Sequence, residues 1–233
     1  DRCADATKAG ATCTSTKYVQ LALGSDNTIG LRPDSKINFV GGGHGTEIYG
    51  LFKHVAESPN GFWCGSNATT DIFSCYGLVN EGMGVPGIVF DKISLGGHHG
   101  CGIDTTGKVV CWGRSAQGQT TAPTGTFADV SAGDAHSCAV SKDNKLSCWG
   151  DDTYKQSDVP AGTYSLVGAG RQHTCALHTD GTLACFGDPY GGRTDPPKGT
   201  FKHVSVMGDC SCAVTTAGEI ACWGYQCAFP SPP

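Results

Sequence analysis

Cysteines recur at a fixed spacing along the second half of the chain, and each is followed by another cysteine ten residues later. The first members of these pairs are Cys101, Cys138, Cys175 and Cys212, which lie 37 residues apart. A pair of thiols at this spacing could contribute to a metal site or form a disulfide. A zinc site needs four convergent ligands, which one pair does not supply. The pattern therefore favours a disulfide framework, which is typical of oxidising compartments.

The cysteines of each pair flank a short turn, so on a hairpin they lie opposite each other on adjacent antiparallel strands. Opposed residues are about 4.5–5.5 Å apart at Cα, which a disulfide can span. One earlier copy of the pattern loses both cysteines together and carries Ile29 and Phe39 instead, as expected if the two bond to each other. The predicted pairs are Cys3–Cys13, Cys64–Cys75, Cys101–Cys111, Cys138–Cys148, Cys175–Cys185 and Cys212–Cys222.

Two of the fourteen cysteines, Cys210 and Cys227, remain after these pairs are assigned. By elimination they bond to each other and tie the C-terminal tail to the last repeat. The alternative links them to Cys3 and Cys13, which would join the first element of the chain to the last.

Three histidines stand two residues before the first cysteine of consecutive pairs, at His99, His136 and His173. Equivalent positions in a ring could share a metal ion. However, other copies carry Cys210, Phe62 and Asn27 at this position, so such a set of ligands is incomplete. A repeated polar side chain usually satisfies a neighbouring backbone group. We therefore assign the histidines a structural role and predict neither a metal site nor a cofactor.

The sequence carries none of the common motifs of serine hydrolases, zinc proteases or calcium loops. Residues 41–45 read GGGHG, but a glycine-rich anion site needs a following helix or other convergent donors. We expect this segment to be a flexible connector. The net charge of −5 argues against nucleic-acid binding. These observations predict a protein that is not an enzyme.

The cysteine spacing is part of a longer repeat, which is the signature of one structural unit stacked several times. The best copy, residues 127–150, reads FADVSAGDAHSCAVSKDNKLSCWG. Related copies occupy residues 90–113, 164–187 and 201–224, and two degenerate copies occupy 18–41 and 52–77. Each copy begins with an aromatic residue and has an aliphatic residue three positions later.

Each copy predicts short strands joined by tight turns, because apolar and small residues alternate within it. The 35 glycines and eleven prolines disfavour helices, and Gly181 stands where a hairpin turn needs positive φ. Small sheets of this kind must cover one another, as in a ring. We predict one all-β domain over residues 1–233, a β-propeller of six short antiparallel blades with intra-blade disulfides. Residues 1–17 and 225–233 are expected to help close the ring, and seven blades, with a seventh built from the two termini, is the alternative.

The core of the copies, G-x-x-H-[ST]-C-A-[LV] followed by DG-x-[LV]-x-CWG, resembles the repeat of the regulator-of-chromosome-condensation superfamily of β-propellers. The resemblance covers residues 18–224. It is nearer to the short, cysteine-bearing, extracellular members and to the propeller-type β-lactamase inhibitory protein of bacteria than to the nuclear exchange factor. It implies a propeller but no particular activity, because this fold carries exchange factors, photoreceptors and inhibitors.

The stretches between copies vary in sequence, as expected of binding loops on a rigid scaffold. Tyrosine and arginine are enriched in binding hot spots. The candidate binding residues are Arg114, Gln119, Tyr154, Tyr190 and Arg193. Trp63 joins them because it falls outside the repeated aromatic register, whose members Tyr76, Trp112, Trp149, Phe186 and Trp223 we expect in the core.

These residues favour binding of an extracellular protein or glycan through the loops, as the inhibitory propeller does. A lectin is the alternative, which repeated loop pockets would favour. An extracellular enzyme with its site at the channel mouth is a third possibility.

The disulfides also favour a secreted protein. The chain begins at Asp1 without an apolar leader, as expected of a mature protein that has lost its signal peptide. It has no apolar run long enough for membrane insertion, and a monomer is expected. Asn67 begins a glycosylation sequon in the turn between Cys64 and Cys75.

Overall fold

The chain forms six small antiparallel sheets in the computed structural model, each built from three strands that follow one another in sequence. The structure describes residues 19–23, 27–41, 50–76, 84–225 and 227. The predicted all-β architecture of six antiparallel units is confirmed within these residues, and the structure shows that each unit has three strands. The N-terminal hairpin that could contribute to a seventh unit lies outside them.

Each sheet is called a blade here, numbered one to six along the chain. The blades comprise β1 (Gln20–Leu23), β2 (Asn27–Leu31) and β3 (Ile37–Gly41); β4 (Phe52–Glu57), β5 (Trp63–Asn67) and β6 (Phe73–Tyr76); β7 (Phe90–Leu95), β8 (His99–Asp104) and β9 (Val109–Gly113); β10 (Phe127–Ala132), β11 (His136–Ser141) and β12 (Leu146–Gly150); β13 (Tyr164–Ala169), β14 (His173–His178) and β15 (Leu183–Gly187); β16 (Phe201–Met207), β17 (Cys210–Thr215) and β18 (Ile220–Gly224). The described residues contain one helical segment, a single 3₁₀ turn at Tyr190–Gly192. No helix in this part of the chain is long and apolar enough to cross a membrane.

The turn between the second and third strands of a blade depends on one residue with positive φ. Gly181 has φ 87° in the fifth blade, as the sequence predicts, and Gly107 has φ 88° in the third. In the fourth blade the position is taken by Asn144, with φ 63°. Asparagine is one of the few other residues that enter this region at low cost.

Disulfides join the second and third strands of five blades, as predicted. The paired cysteines are directly opposed, and their Cα atoms are 4.0 or 4.1 Å apart, in Cys64–Cys75, Cys101–Cys111, Cys138–Cys148, Cys175–Cys185 and Cys212–Cys222. In the first blade, Ile29 lies opposite Phe39 in the same register. Cys3 and Cys13 lie outside the described residues.

The hydrophobic core lies between successive blades. The aromatic residue that begins a first strand packs against the second strand of the preceding blade, as Phe127 does on Cys101 and Ile103. Tyr164 packs in the same way on Cys138 and Val140. The disulfides are therefore part of the contact between blades as well as a link within each blade.

The first strands of blades two to six line a cavity of about 680 Å³. Backbone hydrogen bonds join the turns at one end of this cavity from blade to blade. Gly97 N donates to Gly133 O at 3.1 Å, Asp134 N to Gly170 O at 3.1 Å, and Arg171 N to Gly208 O at 2.7 Å. This repeated bond fixes the spacing of the turns around the cavity.

Candidate binding face

The two ends of the blades carry different connections. At one end, which we call the upper face, the turn between first and second strands meets the start of the following inter-blade loop. Arg114 N donates to His98 O at 2.9 Å, and Asp151 N donates to Ala135 O at 3.0 Å. The upper face comprises turns 96–98, 133–135, 170–172 and 208–209, loop segments 114–119, 151–156 and 188–193, and Tyr225. The lower face carries the hairpin tips 104–108, 141–145, 178–182 and 215–219.

The inter-blade loops are anchored through Gln119, Gln156 and Arg193, which lie 37 residues apart. The carbonyl oxygen of Gln119 accepts hydrogen bonds from Ser137 Oγ at 3.0 Å and Trp149 Nε1 at 2.8 Å. The Arg193 carbonyl likewise accepts from Trp223 Nε1 at 3.0 Å. These bonds join the end of each loop segment to the following blade.

Gln119 and Arg193, two of the predicted binding residues, are buried, whereas a contact surface on the loops would have exposed them. Gln119 is 2% exposed and Arg193 is 4% exposed. Arg193 Nη1 lies 3.2 Å from Asp188 Oδ2 and 3.3 Å from Asp209 Oδ1. Both side chains hold their loops in place, and neither is exposed on the outer surface of the upper face.

Trp63, another predicted binding residue, is buried as well and offers no exposed ring to a ligand. It is 5% exposed, stacks on Tyr76 at 4.5 Å between ring centroids, and meets the edge of Phe52 at 5.6 Å. In the register of the repeat, Trp63 takes the place of Ser137 and its equivalents. It belongs to the packing between the first and second blades.

Among the described residues that define the upper face, three tyrosines are exposed. Tyr154 is 44% exposed, Tyr190 59% and Tyr225 40%. The rings of Tyr190 and Tyr225 lie 5.3 Å apart, and the Arg193 guanidinium lies 5.4 Å from the Tyr190 centroid. Arg114 is exposed beside a pocket of about 230 Å³.

Sequence reasoning did not single out Tyr225. The signal was present, because Tyr225 stands three repeat lengths after Arg114 and therefore at the start of an inter-blade loop. Its backbone confirms this, since Tyr225 N donates to Asp209 O at 3.0 Å. The disulfide Cys210–Cys227 then ties the tail to the last blade, with Cα atoms 5.2 Å apart. This bond is the one predicted by elimination and excludes the alternative pairing of these two cysteines with Cys3 and Cys13.

The repeated histidines link one blade to the next. His99, His136 and His173 are fully buried, and Nε2 of each lies 2.7 or 2.8 Å from a hydroxyl of the following blade: Ser137, Thr174 and Ser211. Ser137 and Thr174 give their single proton to a loop carbonyl, so Nε2 of His99 and of His136 must be the donor and must carry the proton.

The histidines are electrically neutral near pH 7. Burial lowers the pKa of His99 to about 4, with a smaller contribution from His98. Burial lowers the pKa of His136 to about 3 and that of His173 to about 4. Their Nδ1 atoms are buried without a hydrogen-bond partner. Among the described residues, no three His, Cys, Asp or Glu side chains converge as metal ligands.

Glu57 is acidic in a row of otherwise apolar equivalent positions along the central cavity. The equivalent positions in the following blades carry Leu95, Ala132, Ala169 and Val206. Burial raises the pKa of Glu57 to about 7, and its Oε2 atom is enclosed without a hydrogen-bond partner. This carboxyl group is therefore partly protonated at neutral pH.

Asn67, the predicted glycosylation site, is exposed at the lower end of the second blade. Its side-chain oxygen accepts hydrogen bonds from Thr69 N at 2.8 Å and Thr70 N at 3.1 Å. Glycosylation at Asn67 stays a prediction, and a glycan there would leave the upper face uncovered. Residues 42–45 of the glycine-rich segment lie outside the described residues.

The regulator of chromosome condensation (RCC1) repeat model matches residues 90–119, 127–156 and 165–193. No curated protein matches the sequence. Each matched segment ends at one of the loop anchors Gln119, Gln156 and Arg193, so the sequence repeat includes the anchored part of the loop.

Solved structures of similar fold include two plant receptor ectodomains. The ectodomain of the Physcomitrella patens receptor kinase CR4 is 22% identical with a TM-score of 0.77, and the match covers 93% of this chain and 64% of that one. The CRINKLY WD40 ectodomain of the Arabidopsis thaliana receptor kinase ACR4 is 20% identical with a TM-score of 0.72, covering 93% and 83%. This chain thus spans less than two thirds of the length of the moss ectodomain.

Prp20p of Saccharomyces cerevisiae is 17% identical with a TM-score of 0.73, and the match covers 90% of this chain and 72% of that one. At these identities the likeness shows the fold alone. Together with the matched repeats and the six sheets in chain order, it establishes the architecture. The chain has the fold of an RCC1-type β-propeller.

Proposed function

We propose that this propeller is an extracellular protein-binding module that holds its partner on the upper face. The observation that carries the proposal is the exposure of Tyr154, Tyr190 and Tyr225 on one face of a disulfide-linked scaffold. Tyrosine offers a large contact area with little rotamer entropy to lose, which is why it is common at binding hot spots.

Contacts beneath the tyrosines hold two of them in place. Tyr190 lies on an ion network in which Arg193 joins Asp188 and Asp209. Tyr225 is fixed by its backbone bond to Asp209 and by the nearby disulfide of Cys227. A platform that is ordered before binding loses less conformational entropy when the partner arrives.

The extracellular location is supported by six disulfides in the described residues. Reducing compartments seldom preserve such a framework. The two plant structures of the same fold are receptor ectodomains. A further solved structure of similar fold, that of yeast RCC1 (Prp20), has Kap60 bound to it.

A capture experiment tests the proposal. The purified chain, immobilised through a lower-face tag, is exposed to the extracellular fluid of the source tissue, and bound proteins are quantified by mass spectrometry. The Tyr190→Ala/Tyr225→Ala double variant should lose the partner. Ile220→Ala is the matched control, because Ile220 is 61% exposed near the lower face.

Equal capture by the double variant and the wild type would contradict the use of this face. A glycan array, measured in parallel, distinguishes protein binding from the lectin alternative. Glycan binding that the tyrosine variant abolishes, without capture of any protein, would replace the proposal with a lectin.

A further inference from the structure

We infer that the pocket of about 230 Å³ between the third and fourth blades binds a carboxylate group. The pocket opens at the upper face and is lined in part by His98, Arg114, Gln117 and Gln119. This inference deepens the proposed function. The pocket itself does not depend on that function; only the idea that the bound partner supplies the carboxylate rests on it.

The next two inter-blade loops along the chain each begin with an aspartate. In the loop of residues 151–156, Asp151 Oδ2 accepts a hydrogen bond from Gln156 Nε2 at 2.7 Å. In the loop of residues 188–193, Asp188 Oδ2 accepts from Arg193 Nη1 at 3.2 Å. A carboxylate at the start of the loop thus satisfies the buried donor of the residue that anchors the loop.

The loop of residues 114–119 has the same turn but lacks the carboxylate. Gln119 Oε1 accepts from Gln117 N at 2.9 Å, as Gln156 Oε1 accepts from Tyr154 N at 2.8 Å. The residue equivalent to Asp151 is Arg114. Gln119 Nε2 therefore has no acceptor among the described residues, although the residue is 98% buried, being 2% exposed.

Arg114 adds a second unmatched donor group to the pocket. Its guanidinium makes no ion pair with any residue that the structure describes, and its side chain is exposed. The pocket thus joins an amide donor that opens into it and a free guanidinium in the place where the other loops hold a carboxylate. A guanidinium binds a planar carboxylate through two parallel hydrogen bonds.

Asp134 limits the anion that the pocket accepts. It is the only acidic residue in the described lining of the pocket. Its Oδ1 atom packs closely against Gly97, since a β-carbon added to Gly97 would lie only 2.0 Å from this oxygen. A second negative charge on the ligand would be repelled by this carboxylate. The pocket therefore suits a singly charged carboxylate better than a phosphate dianion.

The carboxylate can be an acidic side chain or C-terminus of the partner protein, or a free small molecule. The test is an NMR titration of the whole protein, observing the side-chain NH₂ of Gln119 and Nε–H of Arg114. The probes are acetate, a glutamate-containing peptide with both ends blocked, and a peptide with uncharged side chains, a blocked N-terminus and a free C-terminus. The C-terminally amidated form of the last peptide serves as the uncharged probe.

Saturable shifts of the Gln119 NH₂ signals are expected with at least one carboxylate and not with the amide. Arg114→Gln should weaken the binding by about tenfold or more, because it removes a charged hydrogen bond. Arg114→Asp should abolish it, since the new side chain can take the hydrogen bond that Asp151 makes in the next loop. Lys155→Gln, which removes one positive charge from the neighbouring loop, should leave it unchanged. Absence of saturable shifts with every carboxylate, or equal weakening by Lys155→Gln, overturns the inference.

The same variants separate this inference from the proposed function. If Arg114→Asp abolishes acetate binding and also weakens capture of the partner, the partner supplies the carboxylate. If it abolishes acetate binding but leaves capture intact, the pocket is a site for a free carboxylate. If the wild type binds acetate but captures no protein, the proposed function fails and the pocket stands.

Discussion

A single buried histidine links each of three consecutive blades to the next. Nε2 of His136, for example, lies 2.8 Å from Thr174 Oγ1, which in turn donates to Gln156 O at 2.8 Å. This chain of bonds requires an uncharged imidazole, because the protonated ring would carry a second N–H with no acceptor. Neutral histidine is therefore a structural requirement of the stack.

Stability should fall as the pH drops below about 6.5. The unfolded chain binds protons on these histidines with a pKa near 6.5, whereas burial lowers the pKa values in the folded protein to about 4, 3 and 4. The unfolded state thus binds up to three more protons between these limits, and each proton costs about 1.4 kcal/mol of stability per pH unit. Denaturant midpoints measured from pH 7 to pH 5 test this.

Protonation of Glu57 has the opposite effect on stability from protonation of the histidines, so a Glu57 variant is a control for the histidine effect. Its pKa is about 7 in the folded protein and near 4.5 when unfolded, so its contribution is full below 4.5 and is lost as the pH rises through 7. Glu57→Gln should steepen the loss on acidification, and His136→Gln should reduce it. Constant or increasing stability between pH 7 and pH 5 would be incompatible with neutral buried histidines.

Arg193 and Tyr190 illustrate how differently two neighbouring loop residues should respond to substitution. Arg193→Ala removes a buried ion network and should lower the free energy of unfolding by about 1–3 kcal/mol. Tyr190→Ala removes an exposed ring and should change it by about 0.5 kcal/mol or less. Thermal denaturation of the two variants, with Ile220→Ala as the exposed control, measures the difference. Equal Tm values for Arg193→Ala and the wild type would mean that the network has no structural role.

At the scale of the element, the three-stranded blade combines a turn, a disulfide and an aromatic contact. The blades and their cysteine pairs could be predicted from sequence because hairpin turns and directly opposed residues have local signatures. The burial of Gln119 and Arg193 could not be predicted in this way, because their anchoring bonds use backbone carbonyl oxygens. Their spacing of 37 residues was the available signal, since a repeated position in a variable loop indicates a repeated structural contact.

The disulfide of one blade should stabilise the whole stack. Cys138→Ala/Cys148→Ala removes a crosslink that lies in the core between the fourth and fifth blades. We expect a loss of about 2–4 kcal/mol in the free energy of unfolding, measured by denaturant titration of the oxidised proteins. An unchanged midpoint would show that the blade holds its register without the crosslink, as the first blade does with Ile29 and Phe39.

At the scale of the whole molecule, the repeat creates a scaffold and the departures from the repeat create the candidate site. Arg114, Tyr154, Tyr190 and Tyr225 all lie on the upper face, at positions where the equivalent residues differ between blades. The sequence could reveal that these loops vary. Which of their side chains are exposed depends on contacts between blades, which have no local signature.

The most direct test of the upper face as the binding surface is a hydrogen-exchange footprint of the chain with its captured partner. We predict slower exchange in residues 96–98, 114–119, 151–156 and 188–193 on complex formation, with no change in the lower hairpin tips 104–108, 141–145 and 178–182. Protection confined to the lower tips, with unaltered exchange in the upper loops, would contradict it.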